Sequence, residues 1–293
     1  MRVVLLGTAA AGGFPRWNCA CAPCSAARDG KLPARTQEGV AVSGNSRDWW
    51  LLNASPDIRT QLNATPALAP GPGGTPVRGV LLTDAEAAHA TGLAGLHGAP
   101  GLKVYASPPV LAALSPLRPL LDRPAAWAWA DSFTEGGFVL AGGLVVSAHA
   151  LGSRPPGHIP GAADDDRWVT AYRIEDLASG GVLVYAPCLG RWTPALDELL
   201  DGATCVLLDG TLYEAGGTDT AVRAPRGRTA AAWHLPVSGA DGSLAELARH
   251  PGPRVVFTHF DSANPLLDPA TDACASVTGA GAEVLPDGAE LVL

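Results

Sequence analysis

Short apolar runs rich in β-branched residues recur along the chain, and they set the strongest limit on its fold. The runs cover residues 3–6, 39–43, 49–53, 77–83, 103–106, 143–148, 170–174, 181–186, 204–209, 254–259 and 283–285. Stretches with helical periodicity fall between several of them, at residues 56–62, 87–96, 108–117, 193–200 and 243–249. Strands that first come in pairs and then alternate with helices predict an α/β protein with two mixed sheets and helices outside them. Because 47% of the 293 residues are hydrophobic, the chain can bury one large core, and we expect a single domain over residues 1–293.

Many of the predicted strands end on a polar residue of chemical interest. These residues are Asn53, Asp84, His149, Asp209 and His259. Active sites of α/β proteins gather at such edges, because loops that leave a rigid sheet can bring side chains together. The pattern predicts a functional site at the edge of the sheets.

The charge balance limits the classes of partner. The formal net charge of −8 argues against a nucleic-acid partner, since proteins that bind a phosphate backbone need a concentrated basic surface. Arg223, Arg226 and Arg228 form the only basic cluster in the sequence, and we interpret it as a solvated loop.

The apolar runs also argue against a membrane. No stretch approaches the roughly 18 uncharged apolar residues of a membrane span. Residues 3–6, which precede Gly7, are too few for the core of a secretory signal and predict a first strand instead. We expect a cytoplasmic protein. In that reducing compartment the six cysteines do not predict disulfides, and closely spaced cysteines become metal candidates.

The segment NCACAPC places Cys19, Cys21 and Cys24 close together. Thiolates at this spacing can turn inward around a tetrahedral Zn²⁺, which takes three or four sulfur ligands. The alternative, three small buried residues, lacks the apolar periodicity that would bury all of them. A fourth ligand is not evident locally, so Asp261, a distant histidine or a water is the candidate. We predict a structural zinc, since the triplet has no neighbouring acid or base.

The remaining cysteines are spread along the chain. Cys188, Cys205 and Cys274 are isolated in sequence. Free cysteine behaves as a small apolar residue and is often buried. We interpret these three as core or incidental residues, although Cys188 stands near the end of a predicted strand.

Longer motifs cover most of the chain, from residue 3 to about residue 267. They read LGTAAAGGFPRWNCACAPC, RTQEGVAVS, LLNASPDIRTQ, LLTDAEAAHATGL, LLDGTLYE and FTHFDSANPLL. Together they resemble the coenzyme PQQ biosynthesis protein B family, a branch of the metallo-β-lactamase superfamily. The resemblance implies an αββα sandwich, a structural zinc in the cysteine loop of residues 17–25, and a metal centre between the sheet edges.

The resemblance also implies an activity. Family members are implicated as iron-dependent hydroxylases of the tyrosine in a Glu-Tyr unit, on the way to pyrroloquinoline quinone. Superfamily relatives of similar layout are hydrolases of phosphodiesters or other esters. Either chemistry would act on a small molecule or short peptide.

One departure separates this chain from the family pattern. The superfamily's ligand loop reads His-x-His-x-Asp-His, and the PQQ branch resembles Asn-x-Asp-x-Asp-His. Here the corresponding residues are Asp84, Glu86, Ala88 and His89. Ala88 removes a carboxylate that the resemblance implies, so the activity of the family does not simply carry over, and a divergent paralogue is favoured.

His89, Asp209 and His259 still make chemical sense as ligands of an active-site metal. Two imidazoles and one carboxylate are the facial set that leaves open positions on Fe(II) for substrate and oxygen. Zn²⁺ or Mn²⁺ would be alternatives to Fe²⁺. Asp84 and Glu86 are additional ligand candidates. In the alternative interpretation, one of them caps the helix that begins near Ala87, where the helix dipole favours negative charge.

Other residues are candidates for supporting roles. His234 falls where related hydrolases carry a general acid/base histidine, and we predict catalytic roles for it and for Glu86. His149 would form a second metal position with Asp84 and Glu86, or else be a hydrogen-bonded surface residue. Asn53 either lines the site or is a turn residue.

Three functions from different classes follow. The leading one is an Fe(II)-dependent oxygenase of the pyrroloquinoline quinone route, or a paralogue that hydroxylates another tyrosine-derived or small peptide substrate. The second is a metal-dependent hydrolase. The third is a carrier that keeps the fold and the structural zinc without catalysis. The sequence leaves room for a homodimer.

Overall fold

The computed structural model describes residues 1–121, 126–159, 161–215 and 233–293. The cluster of Arg223, Arg226 and Arg228 lies outside the described residues. The strands are β1 (Arg2–Gly7), β2 (Gly39–Ser43), β3 (Trp49–Leu52), β4 (Val77–Leu81), β5 (Lys103–Ala106), β6 (Ala128–Asp131), β7 (Phe138–Leu140), β8 (Leu144–Gly152), β9 (Val169–Asp176), β10 (Val182–Ala186), β11 (Cys205–Asp209), β12 (Arg254–Thr258), β13 (Ala282–Val284) and β14 (Glu290–Val292). The α-helices are α1 (Ala22–Arg28), α2 (Ile58–Ala64), α3 (Ala87–Ala90), α4 (Pro108–Leu114), α5 (Arg118–Leu121), α6 (Pro194–Leu200), α7 (Ser243–Leu247) and α8 (Asp272–Gly279).

The strands form two mixed sheets of seven strands each. The order in the first sheet is β14-β1-β2-β3-β4-β5-β6, and the order in the second is β13-β12-β11-β10-β9-β8-β7. Strands β3 to β6 are parallel, and so are β10 to β13, whereas the other pairs are antiparallel. The two sheets therefore each combine a parallel half with an antiparallel half.

The layers follow from side chains that alternate between the two faces of each strand. In β1, Val3 and Leu5 belong to the core between the sheets, whereas Val4 and Leu6 face the helices of the first sheet. Apolar residues of α6, α7 and α8 pack on the outer face of the second sheet. Because both faces of each sheet are covered, the central strands read as continuous apolar runs rather than as alternating ones. The predicted αββα sandwich is confirmed.

The site-bearing loops leave the carboxyl ends of parallel strands. Asp84 follows β4, Cys188 follows β10, Asp209 ends β11 and His259 follows β12. A backbone hydrogen bond from Thr170 N to Thr83 O, 2.8 Å long, joins the β4 loop to the second sheet. The topology thus brings loops from both sheets to one edge.

Several boundaries differ from the sequence-based expectations. The helix expected over residues 87–96 is a single α-turn, α3, followed by a 3₁₀ segment at Thr91–Leu96. Gly92 allows the 3₁₀ segment to lie close to the backbone of Ala54 and Ser55, since an added Cβ there would meet their carbonyl oxygens. Strands β6, β7 and β14 and helices α1 and α8 were not predicted, because they are short or rich in small residues. Among the described residues, we find no helix with the length and apolarity to cross a membrane.

Candidate metal centre

His89 is held in place by Asp84. The Asp84 Oδ1 accepts a hydrogen bond, 2.8 Å long, from the backbone N–H of Glu86, the N-cap residue of the short helix α3. His89 Nδ1 lies 2.8 Å from Asp84 Oδ2. A carboxylate only accepts, so Nδ1 carries the proton and Nε2 is directed elsewhere. Nε2 is buried and has no hydrogen-bond partner among the described residues. Asp84 therefore holds both the start of α3 and the ring of His89, while the Glu86 side chain makes no cap hydrogen bond.

The environment of His89 favours a positive charge. Burial by itself would lower the pKa of His89, but the charge of Asp84, its hydrogen bond and the charge of Glu38 raise that pKa to about 9. Burial would raise the pKa of Asp84, yet the charge and hydrogen bond of His89 hold it below its usual range. A cation at the free nitrogen would meet the same stabilising carboxylates.

His259 is oriented through a relay of two hydrogen bonds. Thr211 Oγ1 lies 2.6 Å from Asp209 Oδ1 and 2.7 Å from His259 Nδ1. Since the single hydroxyl proton goes to the carboxylate, His259 Nδ1–H donates to Thr211 and Nε2 keeps its lone pair. Burial, together with the nearby charges of His89 and His234, lowers the pKa of His259 to about 3, so the ring is neutral. A neutral imidazole nitrogen is the form that binds metal.

The backbone of His259 adopts a conformation that is costly for this residue type. Its φ is +63°, in the left-handed region that a non-glycine residue seldom occupies. Such strain persists where the surroundings determine it, and it clusters at functional sites. The turn aims the imidazole at His89, and the two ring centroids are 5.1 Å apart in an edge-on arrangement.

Two groups of potential metal ligands share His259. In the first, ligand atoms of His89, Cys188 and His259 all lie within 4.8 Å of one another. In the second, the same holds for Asp209, His234 and His259. The buried, unpartnered Nε2 of His89 and the mix of imidazole, thiol and carboxylate donors fit a transition-metal cation.

The predicted ligands His89, Asp209 and His259 are divided between these two groups, with His259 common to both. The oxygens of Asp209 accept hydrogen bonds from Leu189 N, Thr211 N, Thr211 Oγ1 and His234 Nδ1. Its carboxylate is thus occupied in holding the loops around it. Cys188, interpreted from the sequence as a core or incidental residue, has its sulfur within 4.8 Å of a ligand nitrogen of each of the two imidazoles. Its position just after a strand was the sequence signal for this placement.

His234 lies where it was predicted to act. Its Nδ1 is 2.7 Å from Asp209 Oδ2, and its ring stacks beside His259 with centroids 5.5 Å apart. With the carboxylate accepting from Nδ1–H, Nε2 is left as the basic nitrogen. The pair of Asp209 and His234 is suited to accept or return a proton.

A cavity of about 420 Å³ opens in front of these residues. Its wall includes His89, Cys188, His234, His259, Asp84, Glu86, Asp261 and apolar atoms of Ala87, Ala88, Pro156, Val169 and Trp233. Glu86 Oε1 lies 3.2 Å from an Arg154 guanidinium nitrogen, and that guanidinium stacks over the Trp233 ring. Burial, then the charge of Asp84, raises the pKa of Glu86. Glu86 therefore lines the cavity outside both ligand groups.

Behind the cavity lies a buried polar network. Asn53 Nδ2 donates to Glu38 Oε2 over 3.2 Å, and Asn53 Oδ1 accepts from Thr83 N over 2.9 Å. The Tyr185 hydroxyl donates to Glu38 over 2.6 Å, and Thr83 Oγ1 donates to Asp84 over 2.9 Å. Burial raises the pKa of Glu38 to about 7. Sequence reasoning missed Glu38, which directly precedes the apolar run 39–43, and Tyr185, which lies inside the apolar run 181–186; neither position gave a sign of a site.

Two expected site residues, Asn53 and His149, play other parts. Asn53, fully buried and with φ of +62°, does not line the cavity but supports the β4 loop from behind. His149 lies within β8, where its Nε2 is 2.9 Å from Ser147 Oγ, and it belongs to neither ligand group and not to the cavity wall. The second metal position with Asp84 and Glu86 is therefore not formed. Strand β8 continues past His149 to Gly152, so this residue is not at a strand end.

The cysteine loop forms a separate donor cluster. The sulfurs of Cys19, Cys21 and Cys24 lie within 4.8 Å of one another, and Cys21 directly precedes the first residue of α1. Asp261 does not join this group, because its carboxylate accepts a hydrogen bond from Ala263 N and it faces the cavity. The three sulfurs suit Zn²⁺, and the helix terminus favours their negative charge.

Comparison with known proteins places this geometry in a family. Residues 48–260 match the family model described as "Beta-lactamase superfamily domain". The chain is 36% identical to coenzyme PQQ synthesis protein B of Methylococcus capsulatus and 36% identical to that of Pseudomonas aeruginosa, and in both cases the alignment covers 100% of each chain.

Solved structures agree. The crystal structure of Zn²⁺-bound PqqB from Methylobacterium extorquens superposes with a TM-score of 0.91 at 34% identity, covering 100% of both chains. A diphosphatase of the PhnP family gives 0.70 at 18% identity, covering 99% of this chain and 97% of that one, and human tRNase Z short form gives 0.61 at 16%, covering 100% and 99%. The last two show the fold alone. With relatives above 30% identity over its whole length and a family model over most of it, the chain belongs to the coenzyme PQQ synthesis protein B family of the β-lactamase superfamily.

Proposed function

We propose that this protein is a metal-dependent oxygenase in the biosynthesis of pyrroloquinoline quinone or a related cofactor, hydroxylating a small tyrosine-containing substrate with Fe²⁺. The observation that carries the proposal is the pair of buried imidazoles, His89 and His259, whose Nδ1 atoms are both engaged in hydrogen bonds. Both Nε2 atoms are thereby left for a cation at the cavity wall. The relatives named for synthesis of coenzyme PQQ support the pathway.

Bound Fe²⁺ would supply open coordination positions for dioxygen and substrate. Adding one oxygen atom to the substrate and reducing the other to water takes two further electrons, which an external reductant such as ascorbate would supply. The protein would supply orientation and proton transfer. Asp84 and Thr211 fix the two imidazole rings, as partners of metal-bound histidines generally do. His234, held by Asp209, offers Nε2 to accept or return a proton beside the reacting position. The half-buried Glu86 is a second candidate for proton exchange.

The cavity supports a small substrate. Its volume of about 420 Å³ lies in the range of ligand pockets, roughly 300–1,000 Å³. Apolar atoms of Ala88, Pro156 and Trp233 offer a surface for a phenol ring, and the imidazoles lie at its inner end. A tyrosyl dipeptide matches this arrangement, since its ring is apolar and its phenol hydroxyl is polar.

A bimetallic hydrolase is the second candidate. The observation that favours it is the second ligand group, Asp209, His234 and His259, which shares His259 with the first. Two adjacent cations would activate a water and stabilise the charge on an attacked ester. In that case His234 would be a ligand rather than a proton carrier.

Anaerobic reconstitution with Fe²⁺, followed by addition of oxygen, ascorbate as the electron donor and a panel of tyrosyl dipeptides, tests the proposal. We expect oxygen uptake that depends on a tyrosyl substrate, with one oxygen atom added to the product by mass spectrometry. Protein loaded only with Zn²⁺ is the matched control and should take up no oxygen. Hydrolysis of a phosphodiester by the Zn²⁺ form, with no oxygen uptake by the Fe²⁺ form, would favour the hydrolase and refute the oxygenase.

A further inference from the structure

Cys188 occupies a fixed position in the loop at the carboxyl end of β10, a strand of the second sheet. It follows β10 by one proline, and β10 is locked to β11 by parallel pairing up to Ala186 and Leu208. On its other side, the backbone N–H of Leu189 donates to Asp209 Oδ2 over 2.7 Å. The loop is thus anchored immediately before and immediately after the cysteine. Its sulfur is presented by a rigid segment, which is how functional side chains are best positioned.

A second, independent observation points at a ligand in front of this sulfur. His89 is 1% exposed, and its buried Nε2 has no hydrogen-bond partner within the part of the chain that the structure describes. An orphaned buried polar atom is costly, and it calls for a partner that the protein alone does not provide. A ligand nitrogen of His89 and one of His259 both lie within 4.8 Å of the Cys188 sulfur.

Among the described residues, no carboxylate belongs to the group formed by His89, Cys188 and His259. Asp84 is spent on His89 Nδ1 and on the start of α3, and Asp209 accepts hydrogen bonds at both oxygens. Ala88, next to His89 on the wall, has no donor atom. Within that group the sulfur can offset the charge of a cation, by releasing its proton as the metal binds.

We propose that Cys188 is a protein ligand of the sheet-edge cation, completing a His₂Cys set with His89 and His259. This inference rests on the proposed function only in that a cation binds to those two histidines. Three protein ligands leave a fourth position open for water or substrate, as in catalytic zinc sites with mixed sulfur and nitrogen ligands. A thiolate shifts preference towards softer cations, so this centre should favour Zn²⁺ and Co²⁺ over Mn²⁺.

The test uses Co²⁺ as the probe, because a cobalt–thiolate bond gives a charge-transfer band in the near ultraviolet. Metal-free, reduced protein is saturated with Co²⁺ under anaerobic conditions, and wild type is compared with Cys188→Ser. If cobalt fills both sites, the band should fall by about one quarter, since one of four sulfur ligands is lost. Cys274→Ser is the matched control, a half-buried thiol on α8 outside both clusters, and it should leave the band unchanged.

A measurement on the wild-type chain guards against misfolding of the variant. Alkylation of each cysteine is followed by peptide mass spectrometry with and without Zn²⁺. We expect Zn²⁺ to protect Cys188 and the cysteine loop, and to leave Cys274 as reactive as before. An unchanged band in Cys188→Ser together with unprotected Cys188 would overturn the proposal. If His259→Ala still lowers the number of bound cobalt ions in that case, the cation centre of the proposed function survives without the sulfur.

Discussion

The cysteine loop and the sheet-edge centre are built in opposite ways. The cysteine loop, residues 17–25, draws its three sulfurs from one short segment. The sheet-edge centre, by which we mean His89, Cys188, Asp209, His234 and His259, draws its donors from loops that follow different strands. A local cluster can be recognised from spacing alone, whereas an assembled one depends on the fold and on partners behind it.

The two regions nevertheless touch. The Cys21 sulfur lies 3.9 Å from the backbone oxygen of Ser262, three residues after His259. Ala10 N donates to Phe260 O over 2.8 Å, and Phe260 N donates to Thr8 O over 2.9 Å. The N-terminal segment therefore packs directly on the turn that carries His259. A zinc in the cysteine loop would stabilise that turn without taking part in the chemistry.

The largest expected effect comes from breaking the cysteine loop. Cys24→Ser removes a fully buried sulfur from the predicted zinc site. Loss of a structural metal belongs to the class of changes that cost more than about 4 kcal/mol of unfolding free energy. We expect zinc content and the midpoint of thermal unfolding to fall together, while Cys274→Ser changes neither. If Cys24→Ser keeps its zinc and its stability, the three sulfurs are not a metal site.

The buried polar network behind the sheet-edge centre should make the free energy of unfolding depend on pH. Burial raises the pKa of Glu38 to about 7 from an ordinary 4.5, so the folded protein holds this proton more tightly than the unfolded chain. The resulting contribution to stability is fully present below pH 4.5 and is lost as the pH rises through 7.

Glu38→Gln removes that dependence. In metal-free protein, the unfolding free energy of the wild type should decline relative to the variant between about pH 4.5 and 7, by on the order of 3 kcal/mol. Denaturant titrations at several pH values measure it, with Glu175→Gln, an exposed partner of Arg173, as control. Parallel pH profiles for wild type and Glu38→Gln would show that the carboxyl does not bind its proton in the way we describe.

The orientation of His89 is tested by Asp84→Asn. The asparagine amide has only one oxygen that can accept the hydrogen bond of His89 Nδ1, and it carries no negative charge. The imidazole ring therefore loses its anionic partner. Removing such a partner of a metal-bound histidine lowers metal affinity by roughly 10–100-fold. Competition titration with a chromophoric chelator measures the affinity for Co²⁺, with Asp165→Asn on the surface as control. An affinity equal to that of the wild type would remove Asp84 from the centre.

The smallest effect is expected at Glu86. Its ion pair with Arg154 is partly exposed, and such pairs contribute about 1 kcal/mol or less. Glu86→Gln should therefore leave both the unfolding free energy and the cation content nearly unchanged, because Glu86 belongs to neither ligand group. A loss of bound cation measured by elemental analysis would move Glu86 into the centre.

The difference between the two regions also explains which parts of the fold and of the site could be predicted from the sequence. Cys19, Cys21 and Cys24 were predictable because their spacing alone brings their sulfurs together, and the layers were predictable because the strands alternate or run continuously apolar. His89, His234 and His259 were found through motifs. The hydrogen bonds to the Asp209 carboxylate were not predictable, since the four donors come from loops that only the fold brings together. The place of Cys188 beside two imidazoles was not predictable either, because an isolated cysteine carries no spacing signal.

Cation content of His259→Ala tests the central claim most directly. Wild type and variant, each reconstituted anaerobically and freed of loosely bound metal, are compared by elemental analysis. The claim that His89 and His259 hold a common cation predicts that the variant loses the cation of the sheet-edge centre and retains the zinc of the cysteine loop. Equal occupancy of both sites in the two proteins would contradict it.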